Sequence, residues 1–154
     1  MEILKHSVIQ NMHKNGLVGI VRDKNEADAM VRTRAIMDGG VTILEISMST
    51  PGALNIIETI AKEIQEKNLD AYVGAGTVLD PETARACILA GASFIIAPNF
   101  RPEVAKLCNR YSIAYMPGVQ TFTEIVTAMD YGCDIVKIFP ASAVGIGFIK
   151  AVMG

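Results

Sequence analysis

The sequence carries little net charge and few of the residues that mark specialised chemistry. Fourteen Lys and Arg against sixteen Asp and Glu leave a formal net charge of -2. With no Lys/Arg cluster either, there is no electrostatic footprint for nucleic acid. The three cysteines, Cys87, Cys108 and Cys133, are odd in number and widely spaced, with no C-x-x-C pair to make a zinc or dithiol site. They read as buried reduced thiols of a cytosolic protein. The only histidines, His6 and His13, have no ligand-spaced partner, read as solvated, and leave no metal expected. The apolar stretch from Ala86 to Pro98 is too short for a bilayer and is interrupted by Gly91, so no membrane segment is expected. Residues Met1 to His6 lack the basic and then apolar order of a signal peptide. Gly74-Ala75-Gly76-Thr77 lacks the third glycine of a dinucleotide fingerprint and no Walker lysine follows, so no cofactor is expected. Its glycines would instead let a backbone approach a ligand closely.

What is present is a 154-residue chain, 51% hydrophobic and 19% charged, of a size and composition suited to one globular domain. Amphipathic stretches alternate with short β-branched apolar runs, the signature of an α/β fold with parallel strands. Strands are expected at Leu17 to Val21, Ile43 to Ser47, Tyr72 to Ala75, Phe94 to Ala97, Ala114 to Pro117 and Ile135 to Phe139. Each is nearly continuous in apolar character, as strands covered on both faces must be. Thr50-Pro51 and Asp80-Pro81 each set a capping side chain before a proline suited to a first helical position. Thr121 to Glu124 fits a capping box. Gly39-Gly40, Gly91 and Gly132 stand where helices should stop. An amphipathic helix, about Ile3 to Lys14, leads the first strand, and a partial helix from about Gly147 to Met153 ends the last of six βα units. An open doubly wound sheet and a portion of a (β/α)8 barrel both fit this rhythm. A complete barrel typically needs about 250 residues, so length alone favours the open sheet.

In either architecture ligands gather at the carboxyl ends of the strands. The polar residues there are Arg22, Glu45, Ser47, Thr77, Asn99, Gln120 and Lys137. Lys137 stands out because Ile135-Val136-Lys137-Ile138-Phe139 offers its ammonium no obvious route to water. Burial disfavours a charged amine, and an amine that loses its proton near neutrality becomes a nucleophile. A strand lysine that snorkels to the rim is the plain structural alternative. Glu45 repeats the oddity within Ile43-Leu44-Glu45-Ile46-Ser47. Period-two alternation puts Ile43, Glu45 and Ser47 on one face and Ile135, Lys137 and Phe139 on one face of theirs. If both faces point into a barrel lumen, the charges can meet or share a water. They then form either a buried ion pair of small net value or the amine and acid/base carboxylate that Schiff-base chemistry requires. Arg22 could receive a substrate carboxylate on its guanidinium fork, or could be an ordinary helix-start arginine.

Leu44-Glu45-Ile46-Ser47, Val73 to Val78, Ile96-Ala97-Pro98, Tyr115-Met116-Pro117-Gly118 and Val136 to Ala141 together resemble the 2-dehydro-3-deoxyphosphogluconate and 4-hydroxy-2-oxoglutarate aldolases, in order and spacing across the whole chain. The resemblance implies a class I aldolase on a (β/α)8 TIM barrel, of which this chain covers about six βα units plus the leading helix, as one domain incomplete at its C-terminus. It implies a cytoplasmic homotrimer that cleaves a 2-keto-3-deoxy sugar acid phosphate to pyruvate and an aldehyde. Lys137 then corresponds to the Schiff-base lysine and Glu45 to the general acid/base. Thr77, Pro98 and Phe139 correspond to the lining of the pyruvate pocket. Members of the family often carry an arginine shortly after the glutamate, where this chain has Ser49; others carry it at the end of strand 1, where Arg22 stands. Two βα units that hold the substrate phosphate would follow Gly154, and without them strands 1 and 6 should be open edges. A second reading is a non-catalytic barrel fragment that keeps only assembly contacts. A third, a phosphate-binding isomerase or epimerase, would need paired acids or a metal cluster, which Glu45 beside Lys137 does not supply.

Overall fold

A computed structural model describes residues 4–153. Its elements alternate after a leading helix: α1 (Leu4–Asn15), β1 (Gly19–Val21), α2 (Glu26–Asp38), β2 (Ile43–Ser47), α3 (Ala53–Glu66), β3 (Tyr72–Gly76), α4 (Pro81–Leu89), β4 (Phe94–Ile96), α5 (Pro102–Arg110), β5 (Ala114–Met116), β6 (Gly118–Val119), α6 (Phe122–Asp130), β7 (Lys137–Ile138) and α7 (Ala141–Met153). Five strands form one parallel sheet in the order β1-β2-β3-β4-β5, and β6 pairs with β7, also parallel. Pro117, which has no N–H to give, separates β5 from β6, so the fifth strand position is shared between two ladders.

Strictly sequential parallel order decides the architecture. A doubly wound sheet reverses its strand order at a switch point, whereas a barrel adds each strand on the same side of the last. The order here never reverses, so the open-sheet reading that length favoured is corrected to a (β/α)8-barrel wall.

The two faces of that wall build two cores. Leu44, Ile46, Val73, Ala75 and Ile95 point outward against Ile56, Ile57 and Ile60 of α3, Cys87 of α4 and Val104 and Cys108 of α5. On the inner face, Ile43, Phe94 and Ala114 pack with Val8 and Met12 of α1. Each of those three is the first residue of its strand, so α1 plugs the amino end of the wall. Buried Asn11 fixes the plug: its Nδ2 donates to Asp70 Oδ1 at 3.1 Å, and its Oδ1 accepts from Thr42 Oγ1 at 2.9 Å. The opposite, carboxyl end of the strands is left for ligand.

Most punctuation follows the sequence reading. Asp80 caps α4 with Pro81 behind it, and Thr121 and Glu124 form the capping box of α6. Gly91 and Gly132 take φ of +100° and +78° just past their helices. His6 and His13 are exposed on α1, whose expected first residue, Ile3, lies outside the described residues.

Two helix starts are corrected. Thr50-Pro51 does not begin α3: Thr50 Oγ1 accepts from Asp23 N–H at 3.2 Å, and α3 starts after Gly52 in the left-handed region at φ +73°. The final helix starts at Ala141 rather than Gly147 and is broken at Gly145, where φ is +74° and ψ 168°. At the open edges, Leu17 before β1, Ile20 within it and Phe139 after β7 are exposed, as expected of strands with one neighbour.

Candidate active site

The register of β1, β2 and β3 assembles the site. Ile20 pairs with Glu45, Glu45 with Gly74, and Ser47 with Gly76, so alternation sends Glu45 and Ser47 to the inner face of one strand. Glu45 is 2% exposed and Ser47 is fully buried. Room for the carboxylate comes from Gly76: a β-carbon there would strike Cγ, Cδ and Oε1 of Glu45. Gly74 gives the same room to the ring of Phe94. The close approach that these glycines promised to a ligand is therefore taken by side chains of the protein itself.

Lys137 arrives from β7, held by its N–H donating to Pro117 O at 2.8 Å. Its Nζ lies 3.9 Å from Glu45 Oε2, near enough for Coulomb attraction and too far for a direct hydrogen bond. The lysine side chain is 29% exposed. Its expected isolation from water is thus corrected: the open mouth of the wall gives the amine a solvent route. Its Nζ also sits 4.9 Å from the centroid of the Phe139 ring, a cation–π distance.

Burial pushes the Glu45 carboxyl above its ordinary pKa, and the charges of Lys137 and then Arg22 pull it back only in part. A carboxyl so placed can hold a proton at a pH where an exposed one would not, which suits it to proton transfer.

Arg22, one residue past β1, reaches across the strand ends rather than toward α2. Its Nε donates to Ser47 Oγ at 3.3 Å and its Nη2 to Thr77 Oγ1 at 3.4 Å. Ser47 Oγ also lies 2.8 Å from Ser49 Oγ and 3.0 Å from Thr77 Oγ1. Thr77 holds this place at φ +61°, in the left-handed region that a β-branched residue avoids. Beyond the hydroxyls opens a cavity of about 340 Å³ lined by Met48, Ser49, Thr77, Leu79, Asp80 and Thr83.

The six site residues read from the sequence are thus joined unevenly. Lys137, Glu45 and Phe139 form one group, Arg22 and Thr77 another, and the Arg22 charge acts on Glu45. Pro98, half-buried after β4, has its carbonyl directly over the α-carbon of Gly118, where any β-carbon would collide. Asn99 and Gln120 join neither group through any side-chain hydrogen bond among the described residues. Asn99 O accepts from Tyr115 Oη at 3.2 Å, and Gln120 N–H donates to Glu124 at the start of α6. The joint role of Ser47 and Ser49 went unread; the available signal was two hydroxyls at i and i+2 leaving one strand face. No cluster of three or more metal-ligating side chains occurs among the described residues. Nor is any helix there long and apolar enough to cross a membrane.

A parallel wall of sequential βα units, with its polar groups gathered at the carboxyl ends of the strands, defines a protein of the (β/α)8-barrel class. Within that class the chain belongs to the KDPG and KHG aldolase family, whose model matches residues 8–154. It is 36% identical over 139 residues to the KHG/KDPG aldolase of Escherichia coli K12, covering 90% of this chain and 63% of that protein. The native KDPGal structure superposes with a TM-score of 0.80 at 34% identity, over 88% of this chain and 64% of that one. KDPG aldolase from Legionella pneumophila, with pyruvate captured as a covalent carbinolamine, superposes with a TM-score of 0.79 at 29% identity, over 89% and 65%. The chain therefore spans a little under two thirds of the length of these relatives.

Proposed function

We propose that this chain carries the imine-forming site of a class I aldolase acting on 2-keto-3-deoxy-6-phosphogluconate and 4-hydroxy-2-oxoglutarate. The observation that carries the reading is the pair Lys137 and Glu45, brought within 3.9 Å of each other from β7 and β2, two strands that do not pair in the sheet. Kinship supports it, because the Legionella relative was captured with pyruvate bound covalently as a carbinolamine.

In this reading neutral Lys137 Nζ attacks the C2 carbonyl of the 2-oxo acid. Protonated Glu45 donates to the oxygen of the carbinolamine, water leaves, and an iminium remains. The C3–C4 bond then breaks: its electron pair enters the iminium to give an enamine while the C4 hydroxyl gives its proton to the Glu45 carboxylate and becomes the aldehyde. Protonation at C3 and addition of water release pyruvate and the free amine. Arg22 and Thr77 receive the substrate carboxylate, and Phe139 and Pro98 wall the reacting carbons. The protein works without metal or organic cofactor, as a homotrimer in the cytoplasm.

Borohydride reduction in the presence of pyruvate tests the reading. A three-carbon reduced adduct on Lys137 is expected by peptide mass mapping, with none on the Lys137→Met variant. A chain that stays unmodified, or is modified equally at surface lysines, would overturn it.

A further inference from the structure

Ser47 is the hub of the hydroxyl cluster, and counting its hydrogens shows what it does. A hydroxyl has one hydrogen and two acceptor lone pairs. The Arg22 guanidinium can only donate, so Ser47 Oγ accepts from Nε. One hydrogen and one lone pair remain for Ser49 and Thr77, so Ser47 donates to one and accepts from the other. Its capacity is then full, as burial requires. The three hydroxyls bring three hydrogens and use two between themselves. The third must sit on Thr77 or on Ser49, the two members that line the open cavity. Reversing the Ser47 O–H moves that spare donor from one to the other without moving a heavy atom.

We propose that Ser47 is a positioning residue, which clamps the Arg22 guanidinium across the strand ends and hands one spare O–H to whichever of Thr77 and Ser49 meets the carboxylate of a bound 2-oxo acid. The inference rests on the carboxylate-binding part of the proposed function and adds to it a residue that touches no ligand. A carboxylate accepts only, so one freely directed hydroxyl beside a fixed fork matches it in two orientations of the acid.

The test is half-saturation of adduct formation by pyruvate on the full chain. Ser47→Ala should raise the half-saturating concentration about tenfold, the weight of one charge-assisted hydrogen bond, while adduct at saturation is kept. Ser47→Thr should return it to within about twofold, since only the hydroxyl is required. Ser47→Ala combined with Arg22→Ala should lose clearly less than the sum of the two single losses, because the clamp acts through the arginine. Unchanged half-saturation in Ser47→Ala, a failed rescue by Thr, or full additivity in the double variant would each overturn the proposal. Should Ser47→Ala not fold, Ser47→Cys keeps the volume with a poor acceptor and must show the same loss. If the wild-type chain forms no adduct, the imine reading fails separately, and calorimetric titration with lactate, which has no carbonyl to react, takes its place. The same order of variants in lactate affinity then sustains the role of Ser47, and no lactate binding by the wild type overturns it.

Discussion

The Glu45 carboxylate lies in the space that a β-carbon on Gly76 would occupy. The overlap reaches Cγ and Cδ as well as the oxygen, so the whole side chain would have to swing away from its place near Lys137. Gly76→Ala should therefore destabilise the chain by about 1–3 kcal/mol, as overpacking does. It should also cut pyruvate adduct formation at Lys137 by about tenfold or more, through misplacement of the proton donor. Gly147→Ala, where a β-carbon meets nothing within 4 Å, is the control and should be neutral or slightly stabilising. Urea unfolding and adduct yield read both effects; equal behaviour of the two variants would refute the link between Gly76 and Glu45.

The raised pKa of Glu45 has a sign in stability. A carboxyl whose pKa is higher folded than unfolded binds its proton more tightly in the native state. Its favourable contribution is full below the ordinary value of 4.5 and is lost as pH rises through the raised native value. Glu45→Gln removes that loss. Its urea midpoint should be close to wild type at pH 4 and should gain on wild type progressively toward pH 8. It should also slow imine formation sharply, since the amide cannot transfer the proton. Parallel midpoint curves for the two proteins would show that burial does not govern Glu45.

Lys137 and Glu45 were legible because a charge inside an apolar strand run is conspicuous, and period two then fixes which face it takes. The architecture was legible only through the family motifs, which implied a (β/α)8 barrel where length alone pointed to an open sheet, and the unreversed strand order agrees with the motifs. At Thr50-Pro51 the local capping pattern was sound chemistry in the wrong place, because a tertiary partner, the Asp23 N–H, took the Thr50 hydroxyl. Ser47 was harder still. A serine at a strand end is ordinary, and its importance comes from the register that sets Arg22, Ser49 and Thr77 around it. The reach of Arg22 is likewise a matter of strand adjacency, which local sequence pattern does not encode.

The cysteines should be inert while the chain is folded. Burial pushes the Cys87 and Cys108 thiols up to about 12 and Cys133 up to about 11, so the reactive thiolate is scarce at ordinary pH. A chromogenic disulfide reagent at pH 8 should find almost no thiol in the native chain and three per chain in denaturant. Rapid reaction of any one without unfolding would place it at a surface that the fold denies it.

Thr77 combines a strained backbone with a side chain that the proposed function places against the substrate carboxylate. Its φ of +61° costs a β-branched residue about 1–3 kcal/mol, and such strain persists only where the surroundings hold it. Here the Thr77 Oγ1 is held by Arg22 and Ser47 at the mouth of the cavity. Thr77→Gly releases the strain and should be more stable than Thr77→Ala by about 1 kcal/mol, the left-handed penalty that alanine retains. Both variants lose the hydroxyl, so both should require several times more pyruvate for half-maximal adduct. The pair separates the two roles of one residue: thermal or urea unfolding should rank glycine above alanine, while pyruvate titration should not distinguish them. A glycine variant less stable than alanine would show that the left-handed turn is no burden there. A glycine variant that binds as wild type would remove Thr77 from the carboxylate site.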